Sequence, residues 1–259
     1  MHPAPGTPHA APPKLSVNVN KVATLRNSRG GHVPSVMEAV RVCIDAGAPG
    51  ITVHPRADQR HIRRQDVLDI ADELAALRGR VELNIEGDPR PDLIDLVLTV
   101  APDQCTLVPV VPGEITSQAG WSASTPQDEL RSVIARMRDR GVRVSLFVDP
   151  EAEPIRWAAD LGADRVELYT EPFARAFERG PSAAAASFER YGRAAEAAHA
   201  AGLGVNAGHD LDLRNLTLFH ALPHLNEVSI GHALIGHALF VGLRRAVEDY
   251  LAALAGRRA

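Results

Sequence analysis

The sequence predicts an α/β fold, a single (β/α)8 TIM barrel, and three observations carry that expectation. Eight short β-branched runs alternate with longer segments of helical period. Helical segments run out into glycines that are followed within a few residues by a strand, the αβ half of a βαβ unit. The length, 259 residues, suits one such barrel and one sizeable core.

The strand runs fall at 15–19, 50–53, 81–85, 104–108, 143–148, 165–169, 204–206 and 227–230. Helical patterns occupy 34–46, 65–77, 91–100, 126–140, 153–161, 182–201 and 213–222, and a last one spans 233–254. The punctuating glycines are Gly47, Gly79, Gly141, Gly162 and Gly202. Several strands read as nearly all apolar, as expected of a parallel sheet covered on both faces. The stretch 171–181 is longer than a tight βα loop and has room for an extra helix or a lid. Residues 1–13 are rich in Pro and Ala and read as a disordered tail, leaving 14–259 as one catalytic domain.

Composition narrows the function classes. A net charge of −4 makes no electrostatic case for nucleic acid. No run of about 18 apolar residues is present, so no membrane partner is expected. The N-terminal stretch lacks the charged head and apolar run of a signal peptide, which points to the cytoplasm. Cys43 and Cys105 sit in apolar element interiors without metal-ligand spacing and read as buried reduced thiols. No metal site is expected.

In this fold the active site lies at the C-terminal ends of the strands. Polar groups from six strands converge there. Asn18, Asn20 and Lys21 follow strand 1; His54, then Arg56 and His61, follow strand 2; Glu86 ends strand 3. Glu167 and Tyr169 share one side of strand 6, Asn206, His209 and Asp210 follow from strand 7, and Gly231 and His232 end strand 8. A carboxylate ending a buried strand must be paired or functional, and burial would suit Glu86 to proton transfer near neutrality. The bland alternatives are a core histidine at His54 or His209, a salt bridge from Glu86 to an arginine, and a buried ion pair at Glu167. His199, His220, His224 and His237 read as helical histidines without partners.

Two anion sites are expected. One is the helix start in Ser229-Ile230-Gly231-His232-Ala233, where free N–H groups receive phosphate. The other is Arg26-Asn27-Ser28-Arg29-Gly30-Gly31, where arginines and flexible backbone meet. Arg56, Arg60 and His61 add positive charge. Two anion sites in one mouth suggest two phosphorylated ligands or one bisphosphate.

These residues resemble a known family. The stretches that carry the likeness include Val17-Asn18-Val19-Asn20, Ala23-Thr24-Leu25-Arg26-Asn27-Ser28-Arg29-Gly30, Gly50-Ile51-Thr52-Val53-His54-Pro55-Arg56 and Arg60-His61-Ile62. Leu107-Val108-Pro109, Val144-Ser145-Leu146-Phe147-Val148-Asp149, Val205-Asn206-Ala207-Gly208-His209 and Ile230-Gly231-His232-Ala233-Leu234-Ile235-Gly236 continue it in register. The chain resembles the pyridoxine 5'-phosphate synthases of the deoxyxylulose-dependent vitamin B6 pathway from about Leu15 to Leu254. The resemblance implies a (β/α)8 barrel with extra helices, assembled as an octamer. It implies condensation of 1-deoxy-D-xylulose 5-phosphate with 3-amino-2-oxopropyl phosphate, with no metal or organic cofactor. It places acid–base residues at His54, Glu86 and His209 and a transition-state stabiliser at Glu167. Substrate contacts fall on Asn18, Arg29, Arg56, His61, Thr116, Gly231 and His232.

The chain also departs from the better-known members. They carry Asp-His where Asn20-Lys21 stands here, and Gly where Asp210 stands. Charged residues follow their Leu-Val-Pro, whereas Val110-Val111-Pro112-Gly113 follows here. These departures mark either a subgroup with the same reaction or a shifted substrate, and Asp210 facing Lys21 is the compensation they suggest. Three other readings stay open at this point: a phosphorylated-sugar lyase using Lys21 as a Schiff base, a metal hydrolase using His54, Glu86 and His209, and a noncatalytic binding protein.

Overall fold

The computed structural model describes residues 11–109 and 119–257. Most of the expected tail, Thr116 and the 110–113 departure lie outside the described residues.

The strands are β1 (Lys14–Asn18), β2 (Gly50–Val53), β3 (Glu82–Gly87), β4 (Gln104–Leu107), β5 (Arg143–Val148), β6 (Arg165–Leu168), β7 (Gly204–Ala207) and β8 (Leu225–Ile230). They form a closed barrel in chain order, every pair parallel, with β8 returning onto β1. The helices are α1 (Asn20–Asn27), α2 (Val36–Asp45), α3 (Arg64–Ala75), α4 (Pro91–Val100), α5 (Gln127–Arg138), α6 (Ala152–Asp160), α7 (Glu171–Glu178), α8 (Pro181–Ala200), α9 (Leu216–Phe219), α10 (His232–Val241) and α11 (Leu243–Leu254). The predicted (β/α)8 barrel is therefore the observed fold. Among the described residues no helix is long and apolar enough to cross a membrane.

The helices follow the local rules that predict them. In α2, Ser35 caps the first turn by accepting from the Glu38 N–H at 3.2 Å. Val36, Ala39, Val40 and Cys43 then recur on one buried face. The room in 171–181 holds α7. Three segments differ from expectation. The single helix expected over 233–254 breaks at Gly242, whose φ of +86° ends α10 and starts α11. The helix expected over 213–222 shrinks to α9, because the Asp212 carboxylate captures the N–H groups of Arg214 and Asn215 in a turn. Helix α1 stands where no helical pattern is expected; only Val22, Ala23 and Arg26 are buried in it, too sparse a stripe to mark a helix.

The barrel interior is the larger correction. The strands are not apolar on both faces: most alternate, with apolar residues toward the helices and polar residues toward the barrel axis, Phe147 of β5 being an apolar exception that lines the cavity. Contacts across the barrel establish this. Gln104 on β4 donates to Glu227 on β8 at 3.3 Å and accepts from Asn206 on β7 at 3.3 Å. One layer higher, Ser16 and Thr52 lie 2.6 Å apart, Asn84 donates to Thr52 at 3.3 Å, and Thr106 donates to Asn84 at 3.1 Å. At the lower rim Glu82 is paired with both Lys14 and Arg143 at 2.5 Å. The apolar core is thus a shell between strands and helices, with Leu15, Val17, Ile51, Ile85 and Val205 fully buried in it. A polar interior must bond to itself, since each unpaired buried group costs about 1–3 kcal/mol.

Candidate active site

The C-terminal mouth opens into a cavity of about 730 Å³. Its lining includes Asn18, Asn20, Lys21, His54, Arg56, His61, Glu86, Glu167, His209, Asp210, Gly231 and His232. The strand-end argument thus selected residues that the barrel brings together. Arg29 lies past the end of α1, exposed, and does not line the cavity. Thr116 is outside the described residues.

Glu86 occupies the centre of the floor. Asn18 Nδ2 on β1 and Ser229 Oγ on β8 each donate to it at 3.4 Å. His54 Nδ1 lies 3.9 Å from Oε2, the oxygen that Asn18 also reaches. No arginine pairs with it among the described residues, so the bland salt bridge is absent. Burial pushes its carboxyl up to about 7, the Glu227 charge adds to the rise, and His209 opposes it. A carboxyl poised there exchanges protons in either direction at neutral pH.

His54 is 9 % exposed, and its Nε2 is buried with no hydrogen-bond partner among the described residues. Burial holds its pKa well below the ordinary value, helped by the positive charges of His61, Arg56 and Arg90. The ring is therefore neutral at neutral pH. A core histidine bonded to a carbonyl is not what stands here. Its position is set by a short ladder: the His54 N–H donates to Asn20 Oδ1 at 2.9 Å, and the Asn20 N–H donates to Asn18 Oδ1 at 3.0 Å. Asn20 thereby ties the ends of β1 and β2 together.

His61 is held as one tautomer. Its Nδ1 accepts from the Ile62 N–H at 2.9 Å, which leaves the proton on Nε2. Burial, with Arg56 and Lys21, depresses its pKa to about 4. Lys21 lies in the first turn of α1 and is exposed at the rim.

Glu167 faces the cavity from inside the barrel and is 5 % exposed. Burial raises its carboxyl well above the ordinary value, and the charges of Glu86 and Glu227 push the same way. No cation pairs with it among the described residues, so the bland buried ion pair is also absent. Tyr169, two residues on, meets the His209 ring edge-on at 5.9 Å.

His209 stands on the loop after β7. Its Nδ1 is 2.6 Å from Asp210 Oδ2, so Asp210 faces His209 and not Lys21. The suggested compensation between Asp210 and Lys21 is not what the structure contains. Asp210 has a φ of +66°, a left-handed conformation that Gly adopts freely and Asp tolerates. The loop sits tight on β8: a Cβ on Gly208 would lie 2.1 Å from the Ser229 carbonyl oxygen. On the far side Gly231 precedes α10, with no side chain capping the helix start. Its first N–H groups are placed for an anionic oxygen at the cavity edge.

The second expected anion site is corrected. Arg26 is 7 % exposed and donates to both oxygens of Asp66, at 2.5 and 2.9 Å. It and Asn27 also donate to the His61 carbonyl oxygen, at 3.3 and 2.7 Å. This motif braces α1 against α3 and the His61 loop, and Arg26 is committed to that brace. The outer cavity wall holds residues not anticipated, among them Arg175 and Glu171 of α7 and Arg214 before α9. Only the excess length of 171–181 pointed toward them. The four histidines expected to lack partners have them. His224 meets Glu196 at 3.0 Å, His199 stacks on His224 at 3.8 Å, His220 bonds the Leu216 carbonyl oxygen at 2.8 Å and His237 meets Asp249 at 3.0 Å.

Comparison with known proteins agrees with this fold. The family described as "Pyridoxal phosphate biosynthesis protein PdxJ" matches residues 15–256. A pyridoxine 5'-phosphate synthase of Bacteroides fragilis is 55% identical over 238 residues, covering 92% of this chain and 97% of that one. That of Leptospira biflexa is 47% identical over 251 residues, covering 93% and 96%. Among solved structures, orotidine 5'-monophosphate decarboxylase from Methanocaldococcus jannaschii superposes with a TM-score of 0.60 at 13% identity, covering 94% of this chain and 99% of that one. A phosphoribosyl anthranilate isomerase does so with a TM-score of 0.55 at 12% identity, covering 94% and 99%. At such identities the last two speak to the barrel alone. The sequence match over nearly the whole barrel shows that the chain belongs to the PdxJ family of pyridoxal phosphate biosynthesis proteins.

Proposed function

We propose that this chain is a pyridoxine 5'-phosphate synthase, condensing 1-deoxy-D-xylulose 5-phosphate with 3-amino-2-oxopropyl phosphate to pyridoxine 5'-phosphate, phosphate and water by acid–base catalysis. The observation that carries the reading is the constellation of a neutral His54, a Glu86 titrating near neutrality and a carboxylate-paired His209 in one cavity. Imine formation, phosphate elimination, ring closure and dehydration each move protons around one intermediate, so several such groups are required. His54 takes protons as the neutral base, and Glu86 passes protons between substrate atoms. His209 supplies or removes the proton at the opposite end. Burial holds the Glu167 carboxyl well above its ordinary range, and a cationic imine beside it would favour the carboxylate form and be stabilised by it.

The anionic ends have separate receivers. Arg56, His61 and Lys21 lie on one side of the cavity, and Gly231 and His232 on the other. Holding both substrates there removes part of the entropic barrier, up to ~7–11 kcal/mol in favourable cases. In this reading 14–259 is one catalytic domain without metal or organic cofactor, placed in the cytoplasm, where phosphorylated intermediates are retained by their charge. An octamer belongs to the same reading. The exposed apolar residues Leu25, Val33, Leu239 and Phe240 support an assembled state, and mass in solution distinguishes eight copies from two.

The direct test supplies both substrates to purified protein and follows pyridoxine 5'-phosphate by chromatography. Wild type is expected to form it, and His209→Ala to form it at least about 100-fold more slowly. Folded wild-type protein that binds either phosphate without turnover would overturn the reading.

A further inference from the structure

We propose that Asp210 is the positioning residue of His209: its carboxylate holds the proton on Nδ1, so that Nε2 is the nitrogen that exchanges a proton with the substrate. The inference rests on the acid–base reading above and adds a residue to it.

The geometry comes first. Asp210 Oδ2 lies 2.6 Å from His209 Nδ1, the length of a charge-assisted hydrogen bond. An ionised carboxylate only accepts, so the shared proton belongs to the ring. The φ of +66° at Asp210 accompanies a contact between adjacent side chains. The loop holding both residues is bonded at three points. Thr170 Oγ1 donates to the His209 carbonyl oxygen, and Asn215 Nδ2 donates to the Asp210 carbonyl oxygen at 3.0 Å. The Asp212 N–H donates to Asn215 Oδ1 at 2.9 Å.

The electrostatics agree. The hydrogen bond from His209 keeps the Asp210 carboxyl below its ordinary range, assisted by His232 on α10 and Arg175 on α7. Among the described residues Tyr169, whose ring edge meets His209, and Glu86, whose carboxyl feels the His209 charge across the cavity, also face the pair. A cavity that receives two phosphates disfavours an uncompensated carboxylate at its edge. Bonding to His209 removes that conflict and gives the carboxylate a task. A carboxylate on the second nitrogen fixes the tautomer of a working imidazole, and the partners that do so for metal-bound histidines matter by about 10–100-fold.

The test uses Asp210→Gly and Asp210→Asn in the full chain, since both residues accept a positive φ without strain. Nitrogen-15 NMR of the His209 ring at pH 8 reads the tautomer in the resting enzyme, and steady-state kinetics read kcat and KM for each substrate. Wild type is expected to show the proton on Nδ1. Asp210→Gly is expected to shift it to Nε2 and to lower kcat about 10–100-fold, with both KM values within about twofold. An unchanged tautomer in Asp210→Gly overturns the proposal whatever happens to turnover. So does a rise in KM with kcat and tautomer intact, which would make Asp210 a substrate ligand. The NMR needs no substrate, so a wild-type enzyme that fails to make pyridoxine 5'-phosphate would sink the functional reading while the tautomer still decides the role of Asp210.

Discussion

Glu86→Gln is expected to abolish most turnover and, at alkaline pH, to make the protein more stable. Gln has the shape of Glu and retains groups for Asn18 and Ser229, but it cannot give and take a proton. The expected fall in kcat is about 10²–10⁴-fold, the range for one positioned acid–base group. The stability effect follows from burial. In the folded protein the Glu86 carboxyl is pushed up to about 7, whereas in the unfolded chain it titrates near its ordinary value of 4.5. Between those pH values the folded state holds a proton that the unfolded state has released. Stability therefore falls as pH rises through that window, and the loss is complete above about 7. Gln removes the loss. Its melting temperature should exceed that of wild type by roughly 5 °C or more at pH 8, and the two should converge near pH 4. Thermal melts at the two pH values, with turnover measured beside them, check both halves. Wild-type turnover would remove Glu86 from the chemistry, and a stability difference equal at both pH values would mean that its charge is compensated in the cavity.

Arg26→Ala is expected to be the most destabilising of the simple truncations near the site, by about 3–5 kcal/mol. The guanidinium and the Asp66 carboxylate it grips are only 9 % and 13 % exposed. Removing Arg26 leaves Asp66 buried without its partner. Asp66 also accepts from the Arg63 N–H at 2.8 Å, at the start of α3, so the loss spreads into that helix. The His61 carbonyl oxygen loses a donor as well, which loosens one side of the cavity. Arg26→Lys should recover only part of the stability, because an ammonium cannot make the two-pronged contact. Chemical denaturation with matched controls measures the effect. A midpoint close to wild type with a raised KM for a phosphorylated substrate would return Arg26 to the role of anion ligand.

Much of the site is legible from position alone. Eight strands separated by helical segments establish a barrel, and a barrel exposes the C-terminal ends of its strands. Asn18, His54, Glu86, His209 and Gly231 stand at those ends, so the connectivity already gathers them. Helix starts and stops are also local matters, decided by features such as the Ser35 cap and the glycines with positive φ. A neighbour in sequence sufficed for these, because hydrophobic period and turn chemistry act over a few residues.

What escaped the sequence depends on partners far along the chain. Arg26 looks like an anion ligand until α3 brings Asp66 to it from 40 residues away. Asp210 looks like a partner for Lys21 until a left-handed backbone sets it against His209. Gln104 and Glu227, 123 residues apart, bond only because the sheet closes on itself. The sequence by itself determined the barrel and which residues reach its mouth. The tertiary structure alone decided which of them are neutral, which are paired and which are committed to bracing. Charge state depends on burial and on every charge nearby, and the closed fold sets both.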